Sequence, residues 1–448
     1  DMTVGRPWED ILIFTIPMLI GNIAQQLYNT VDSIVVGRFV GDNALAAVGS
    51  AGPILNLLIV LFVGISVGAS IMVSQYLGAR NREALSGTIG TCIVLTAIAS
   101  LVIMIVATLV ARPLLELLNT PETILDWCTS YLRILFLGAA GLAFYNILSG
   151  VLRGLGDSMS ALLYLLVASG LNIVLDLLFV VKFDMGVNGV ALATAIAQGI
   201  SAILCVRRLS KLTELFDLKW KYIRLNKHHA GNIIRLGVPS GVTQAMISMA
   251  MLIVQSLTNS FGEQFIAANV ITMRVDGFAM LPNMSFGNAM TTYAGQNVGA
   301  NQYERVSKGA KQGLFMGVGT SAVITGLILI FGKPLMGIFT STSELVDLSY
   351  HLMQILAVGY LVMSVTQVLS GIMRGAGDTM TPMWISIVQT IVIRVPLAYL
   401  LVYASRSAAF PQGKREYIYL SLVISWVIGA LITTFFYKRG KWKTKAIK

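Results

Sequence analysis

The sequence predicts an all-α membrane protein: twelve transmembrane helices in two six-helix lobes, related by a pseudo-two-fold axis along the membrane normal. Three observations carry this. First, 56% of the 448 residues are hydrophobic and only 12% are charged, about half the charged share of a soluble domain. Second, the apolar residues fall in runs long enough to cross the roughly 30 Å of a bilayer core as helix. Third, the chain repeats itself at an offset of 221 residues. A soluble fold, a disordered chain, a coiled coil and a disulfide scaffold are all excluded by this composition.

The apolar segments cover roughly 11–35, 44–74, 88–111, 127–151, 158–181, 187–207, 230–257, 264–293, 309–331, 347–372, 380–403 and 416–437. They do not alternate with a period of two, so a transmembrane β-barrel is not expected. The 42 glycines suit close helix packing in lipid. Residues 1–207 form the expected N-lobe, 208–229 a solvated cytoplasmic linker that includes His228 and His229, 230–437 the C-lobe and 438–448 a basic tail.

The net charge of +11 reflects topology rather than nucleic acid, and no nucleic-acid partner is expected. With the N-terminus inside, 21 Lys and Arg fall in inner loops and tails and seven in outer loops. That bias puts both termini of a multi-pass membrane protein in the cytoplasm, where its basic loops meet anionic lipid. No removable signal peptide is read at the start. Cys92, Cys128 and Cys205 are widely spaced and are expected to pack, not to ligate or pair.

The clearest repeat aligns Leu148–Ser160 with Leu369–Thr381, with eight of thirteen positions identical. Each half has an even number of spans, which makes the repeat parallel and leaves a cleft about which two lobes can rock. Within it, Arg153-Gly154-Leu155-Gly156-Asp157 and Arg374-Gly375-Ala376-Gly377-Asp378 lack the spacing of a nucleotide phosphate loop. They read as tight turns in which Gly supplies positive φ and Asp caps the next helix. No Walker motif is present, so ATP-driven work by this chain is not expected.

Three acids lie well inside spans: Asp32, Asp176 and Asp276. A carboxylate in hydrocarbon is expensive and marks function by default. Gln25, Tyr28, Asn29 and Asp32 recur at i, i+3, i+4 and i+7 and share a helix face, as do Asn172 and Asp176. Two such faces can bind a proton or a hard cation through oxygen. Asp276 lies two residues from Arg274, a spacing at which side chains do not face one another. Arg394 precedes Pro396, which should kink that helix. Met246, Met249 and Met280 are candidates to line an adaptable apolar cleft. A membrane-embedded enzyme would need clustered His or an HExxH, and neither occurs.

The double repeat, Ile16-Pro17, Tyr28-Asn29 with Asp32 and Val36-Gly37, the paired Gln75-x-x-Gly78-Ala79 and Gln296-x-x-Gly299-Ala300, and the twin Arg-Gly-x-Gly-Asp turns together resemble the multidrug and toxic compound extrusion (MATE) family. The resemblance covers nearly the whole chain. It implies a monomeric bacterial antiporter of the inner membrane, not an enzyme and without a cofactor, that exports small organic cations or amphiphiles in exchange for H⁺ or Na⁺. In DinF-like members the N-lobe cation site uses acids of the first and fifth helices, an Asn one turn before the second acid and a Thr of the sixth. The matching positions here are Asp32, Asp176, Asn172 and Thr194, which would also be the ligands of a bound Na⁺. Gln25, Tyr28, Tyr131 and Asn146 match supporting polar positions. Where NorM-like members carry acids on the seventh and tenth helices, this chain has Gln244, Gln255, Gln354 and Gln367. The alternative is a flippase of a lipid or lipid-linked precursor from the same broad superfamily.

Overall fold

The structure, a computed structural model, describes residues 1–447, and every regular element among them is helical. The helices are α1 (Pro7–Phe39), α2 (Asp42–Gly78), α3 (Arg82–Leu117), α4 (Glu122–Leu137), α5 (Ala139–Gly154), α6 (Ser158–Leu177), α7 (Val187–Lys211) and α8 (Lys227–Asn259). They continue as α9 (Glu263–Gly299), α10 (Tyr303–Met336), α11 (Ser343–Ala357), α12 (Gly359–Gly375), α13 (Met380–Ile387), α14 (Val395–Ala404) and α15 (Tyr417–Arg439). A π-helical stretch, Leu178–Lys182, prolongs α6, and a second, Val388–Arg394, joins α13 to α14. Ten of these runs are long and apolar enough to span a bilayer, and the bent pairs α4–α5 (53°) and α11–α12 (44°) complete the twelve expected spans. The Pro396 kink is realised as the π-helical Val388–Arg394, with the proline in the first turn of α14. Proline cannot donate to the preceding turn, and the ladder widens there.

The chain divides into two compact units. Unit 1 holds Asp1 and residues 16–238, and unit 2 holds 2–15 with everything from Pro239 onward. Two helices change unit along their length, α1 at residue 15 and α8 at residue 238.

In each unit one helix pair is drawn together by glycine. A Cβ at Gly150 of α5 would strike Ser66 of α2, and one at Gly154 would lie 2.7 Å from the Ser70 carbonyl oxygen. In unit 2 a Cβ at Gly371 of α12 would strike the Gly287 carbonyl of α9, and one at Gly375 the Thr291 carbonyl. All four contacts are related by the repeat offset. The Gly-x-x-x-Gly spacing lets backbones touch where lipid provides no hydrophobic drive for association. The twin turns follow as expected: Gly156 and Gly377 have φ of +87° and +99°. Asp157 accepts from the Ser160 N–H at 3.1 Å and Asp378 from the Thr381 N–H at 3.2 Å.

One expectation about polar residues needs correction, the solvation of His229. The linker before it stays largely exposed but is docked. Residues 212–226 lie along α3, where Arg82 pairs with Asp217 at 3.0 Å and also bonds the Thr213 and Glu214 carbonyls. The Asp217 N–H donates to Ser86 Oγ at 2.9 Å, and a Cβ at Gly90 would strike the Tyr222 carbonyl. His229 is buried, because α8 begins at Lys227 and turns this residue inward. Its Nδ1 lies 3.3 Å from Thr88 Oγ1 and its ring stands edge-on to Tyr76. His228 is exposed, as expected. The three cysteines are buried and unpaired.

At the other end of the chain, Met2 to Gly5 are clamped within unit 2. The Met2 N–H donates to Gln296 Oε1 at 2.8 Å, and Arg305 bonds the Met2, Val4 and Gly5 carbonyls together with Asp10 at 2.7 Å.

Candidate functional site

Asp32 and Asp176, 144 residues apart in sequence, meet inside unit 1. The i, i+4 stripe on α6 aims Asn172 and Asp176 at α1, and both are fully buried, at 1% and 0% exposure. Asp32 sits opposite, near the end of α1, with its carboxyl within hydrogen-bonding reach of Asp176. The Asn172 amide satisfies its neighbours with Nδ2 donating to the Asp176 carboxyl at 2.9 Å and Oδ1 accepting from the hydroxyls of Tyr28 and, at 3.2 Å, Thr194. Thr194 comes from α7, and its hydroxyl is also within reach of the Val190 carbonyl at 3.1 Å. Tyr131 of α4, 6% exposed, lies close enough to feel both carboxylates. Four helices therefore build this centre.

The electrostatics are unusual for a buried pair. Neither aspartate forms an ion pair with Lys or Arg among the described residues. Asp32 Oδ1 is buried without any hydrogen-bond partner, at a cost of about 1–3 kcal/mol or more for a group left unsatisfied. Two facing carboxyls with only hydroxyl and amide neighbours call for a positive charge from outside. The donors are all oxygens apart from one amide nitrogen, which suits a proton or a hard cation and not a soft metal. No cluster of three or more His, Cys, Asp or Glu forms a conventional metal centre among the described residues.

Other residues of the expected set fall elsewhere. Gln25 and Asn29 bond each other at 3.2 Å on an exposed part of α1 and do not reach the carboxyl pair. Asn146 spends its Nδ2 on the Leu142 carbonyl of its own helix, at 2.8 Å. Sequence periodicity groups Gln25 and Asn29 with Asp32 because they share a stripe, but the stripe is wider than its contact with α6.

Unit 2 carries a different polar cluster. Tyr360 of α12 is fully buried and donates to Asp276 Oδ1 of α9 at 2.7 Å. Arg394 is close enough to act on the same carboxylate, though no ion pair within 4.0 Å forms, and its Nε is buried without a partner. Tyr419 of α15 donates to Asn269 of α9. Sequence reading missed Tyr360, Tyr419 and Asn269. The available signal was Asp276 itself, since an intramembrane acid implies a buried donor on another helix. Arg274 is exposed and Met249 is 48% exposed. Met246 is partly buried, and Met280 packs against the unit 2 core.

Comparison with known proteins follows this architecture. The MatE family model matches twice, at residues 17–178 and 239–400. The probable multidrug resistance protein YoeA of Bacillus subtilis is 29% identical over 88% of this chain and 87% of its own length. The multidrug export protein MepA of Staphylococcus aureus is 23% identical over the same shares of the two chains. An outward-facing multidrug resistance MATE family transporter of the MOP superfamily superposes with a TM-score of 0.90 at 25% identity, covering 98% of this chain and 96% of that one. With both halves matched by the family model and twelve spans in the fold, the chain belongs to the MatE family of membrane transporters.

Proposed function

We propose that this chain is a secondary active efflux transporter that exports cationic or amphipathic organic compounds in exchange for H⁺ or Na⁺, with Asp32 and Asp176 as the coupling pair. The observation that carries the proposal is the pair itself: a buried carboxyl at Asp176 in reach of the partly buried carboxyl of Asp32, no basic partner, and one buried oxygen left without a donor. Such a site binds a small cation in one state and releases it in another. The names of YoeA and MepA add support for multidrug export as the task.

In the proposed cycle both carboxylates are ionised while the transporter is open to the cytoplasm and loads its organic passenger. In the outward-open state H⁺ or Na⁺ enters between them. Neutralisation removes the repulsion between α1 and α6, the packing of α1 changes, and affinity for the passenger falls. Coupling requires each ligand to bind the two states with different affinity. Asn172 and Thr194 hold the geometry: the amide fixes the Asp176 carboxyl, and Tyr28 and Thr194 fix the amide. Asp276, Arg274, Met246 and Met280 are proposed for contact with the passenger. The same reading places the protein in the cytoplasmic membrane as a monomer with both termini inside.

The test is ethidium efflux from reconstituted vesicles under separately imposed pH and Na⁺ gradients. Wild-type protein should respond to one gradient, and Asp32→Asn should respond to neither while still inserting. Undiminished gradient-driven efflux by Asp32→Asn removes the assignment. The flippase alternative would show instead as gradient-dependent transfer of a labelled lipid with no ethidium movement.

A further inference from the structure

The twin Arg-Gly-x-Gly-Asp turns leave a charge unaccounted for in each unit. Arg153 ends α5 and Arg374 ends α12, related by the repeat offset. Both guanidinium groups are hemmed in by protein, yet neither forms an ion pair with a carboxylate among the described residues. The aspartates of the same turns do not serve. Asp157 binds Arg208 at 2.8 Å, and Asp378 accepts from the Thr381 N–H. Arg153 makes two long hydrogen bonds, to Ser149 Oγ at 3.3 Å and Ser66 Oγ at 3.4 Å. The Arg374 guanidinium makes no hydrogen bond or ion pair among the described residues, although its carbonyl accepts from the Gly377 N–H at 2.9 Å. The position equivalent to Ser66 is Gly287, which has no hydroxyl to offer, and Ser370, equivalent to Ser149, makes no hydrogen bond to Arg374. None of the nitrogens of Arg153 or Arg374 is among the buried, unpartnered polar atoms, whereas Arg394 Nε is. The Arg374 nitrogens, unpartnered and yet not buried, and the partly exposed Arg153 side chain are within reach of an incoming group.

A confined guanidinium without a counter-charge is costly, and its planar fork fits two oxygens of one oxyanion. We propose that Arg153 and Arg374 are a symmetry-related pair of anion sites, each taking a phosphate group that the chain does not itself supply. The phosphate meets the side chain and not the backbone of the turn. It comes from an anionic lipid head group or from free phosphate. The loop-charge bias puts both helix ends on the cytoplasmic side, where anionic lipids concentrate. Arg374 is the stronger site, because Arg153 already has two hydroxyl partners. The proposal stands apart from the assignment of Asp32 and Asp176, which occupy other helices.

The experiment is thermal unfolding of the purified full-length protein in detergent. Phosphatidylglycerol, an uncharged diacylglycerol with the same chains, and inorganic phosphate against chloride at equal ionic strength are titrated in turn. Wild type should gain a few degrees in Tm with phosphatidylglycerol, with phosphate, or with both, and nothing with diacylglycerol. A response to phosphatidylglycerol alone identifies the lipid source, and a response to phosphate alone the free anion. Arg374→Gln should lose more than half of the gain, Arg153→Gln less, and the double variant all of it. Without any anion the glutamine variants should melt no lower than wild type, since they remove an uncompensated charge. Arg374→Lys keeps the charge without the fork and should fall between. No shift in wild type, an equal shift in the double variant, or variants that melt lower than wild type without anion would each overturn the proposal.

Discussion

The two units share a repeat, a helix-crossing geometry and matching turns, yet their buried polar centres differ in kind. Unit 1 sets two carboxyls against each other with hydroxyls and one amide around them. Unit 2 sets a single carboxylate between a tyrosine hydroxyl at 2.7 Å and the field of Arg394. The first centre lacks a positive charge and must import one. The second is balanced within the protein and has little to gain from a passing ion. Duplication conserved what packing demands, the small residues where backbones touch, and left the polar chemistry free to diverge. The twin turns differ as well: Arg153 bonds the hydroxyls of Ser66 and Ser149, whereas Arg374 bonds neither Gly287, which has none, nor Ser370.

The sharpest break of this comparison is a carboxamide scan. Asp32→Asn and Asp176→Asn should each reduce gradient-driven ethidium efflux to the level of empty vesicles. Asp276→Asn should alter the KM for ethidium while efflux still stops when the gradient is collapsed. If Asp276→Asn uncouples as fully as Asp32→Asn does, the two centres are not different in kind.

A smaller effect is expected at the residue that bridges the unit 1 centre. Asn172→Ala removes the donor to Asp176 and the acceptor for Tyr28 and Thr194. Loss of a supporting partner of this type should weaken the coupling ion roughly tenfold, read as a shift in the half-saturating pH or Na⁺ concentration. An unshifted midpoint would show that the amide orients nothing.

Unit 2 should answer in stability and not in coupling. Tyr360→Phe leaves Asp276 without its hydroxyl donor and should cost about 1–3 kcal/mol, measured as a lowered Tm with unchanged ion dependence.

The smallest effect belongs to the strap over α3. The Arg82 guanidinium, hydrogen-bonded to Asp217, holds that carboxyl below the usual carboxylate range. A folded-state value below the unfolded one contributes stability that is fully present above the ordinary carboxylate pKa. That stability is lost as pH falls through the lower, folded value. The strap from 212 to 226 should therefore become more susceptible to protease only under acid. Asp217→Asn should show the same susceptibility at neutral pH.

Much of this was legible in the chain beforehand. The twelve spans follow from apolar length alone, because a helix crossing lipid must satisfy its own backbone and cannot be short. The caps at Asp157 and Asp378 and the positive φ at Gly156 and Gly377 follow from local chemistry. Pairing Asp32 with Asp176 needed more, since periodicity places each on a face without saying which faces meet. Periodicity groups Gln25 and Asn29 with Asp32 on one stripe, and the structure adds that they bond each other and make no hydrogen bond to the carboxyl pair. His229 was misjudged because polarity of a linker is a property of its composition, while burial depends on where α8 starts.

The sequence by itself determined the membrane class, the number of spans, the twofold repeat and the presence of acids that lipid would not tolerate idly. These depend on composition and on spacing along one helix. Only the tertiary structure decided that one oxygen of Asp32 lacks a donor, that Tyr360 reaches Asp276, and that the Arg374 guanidinium stands without a counter-charge. Each of those is settled by what a second helix presents across a gap of a few ångströms, and the hydrophobic pattern that positions the helices is silent about it.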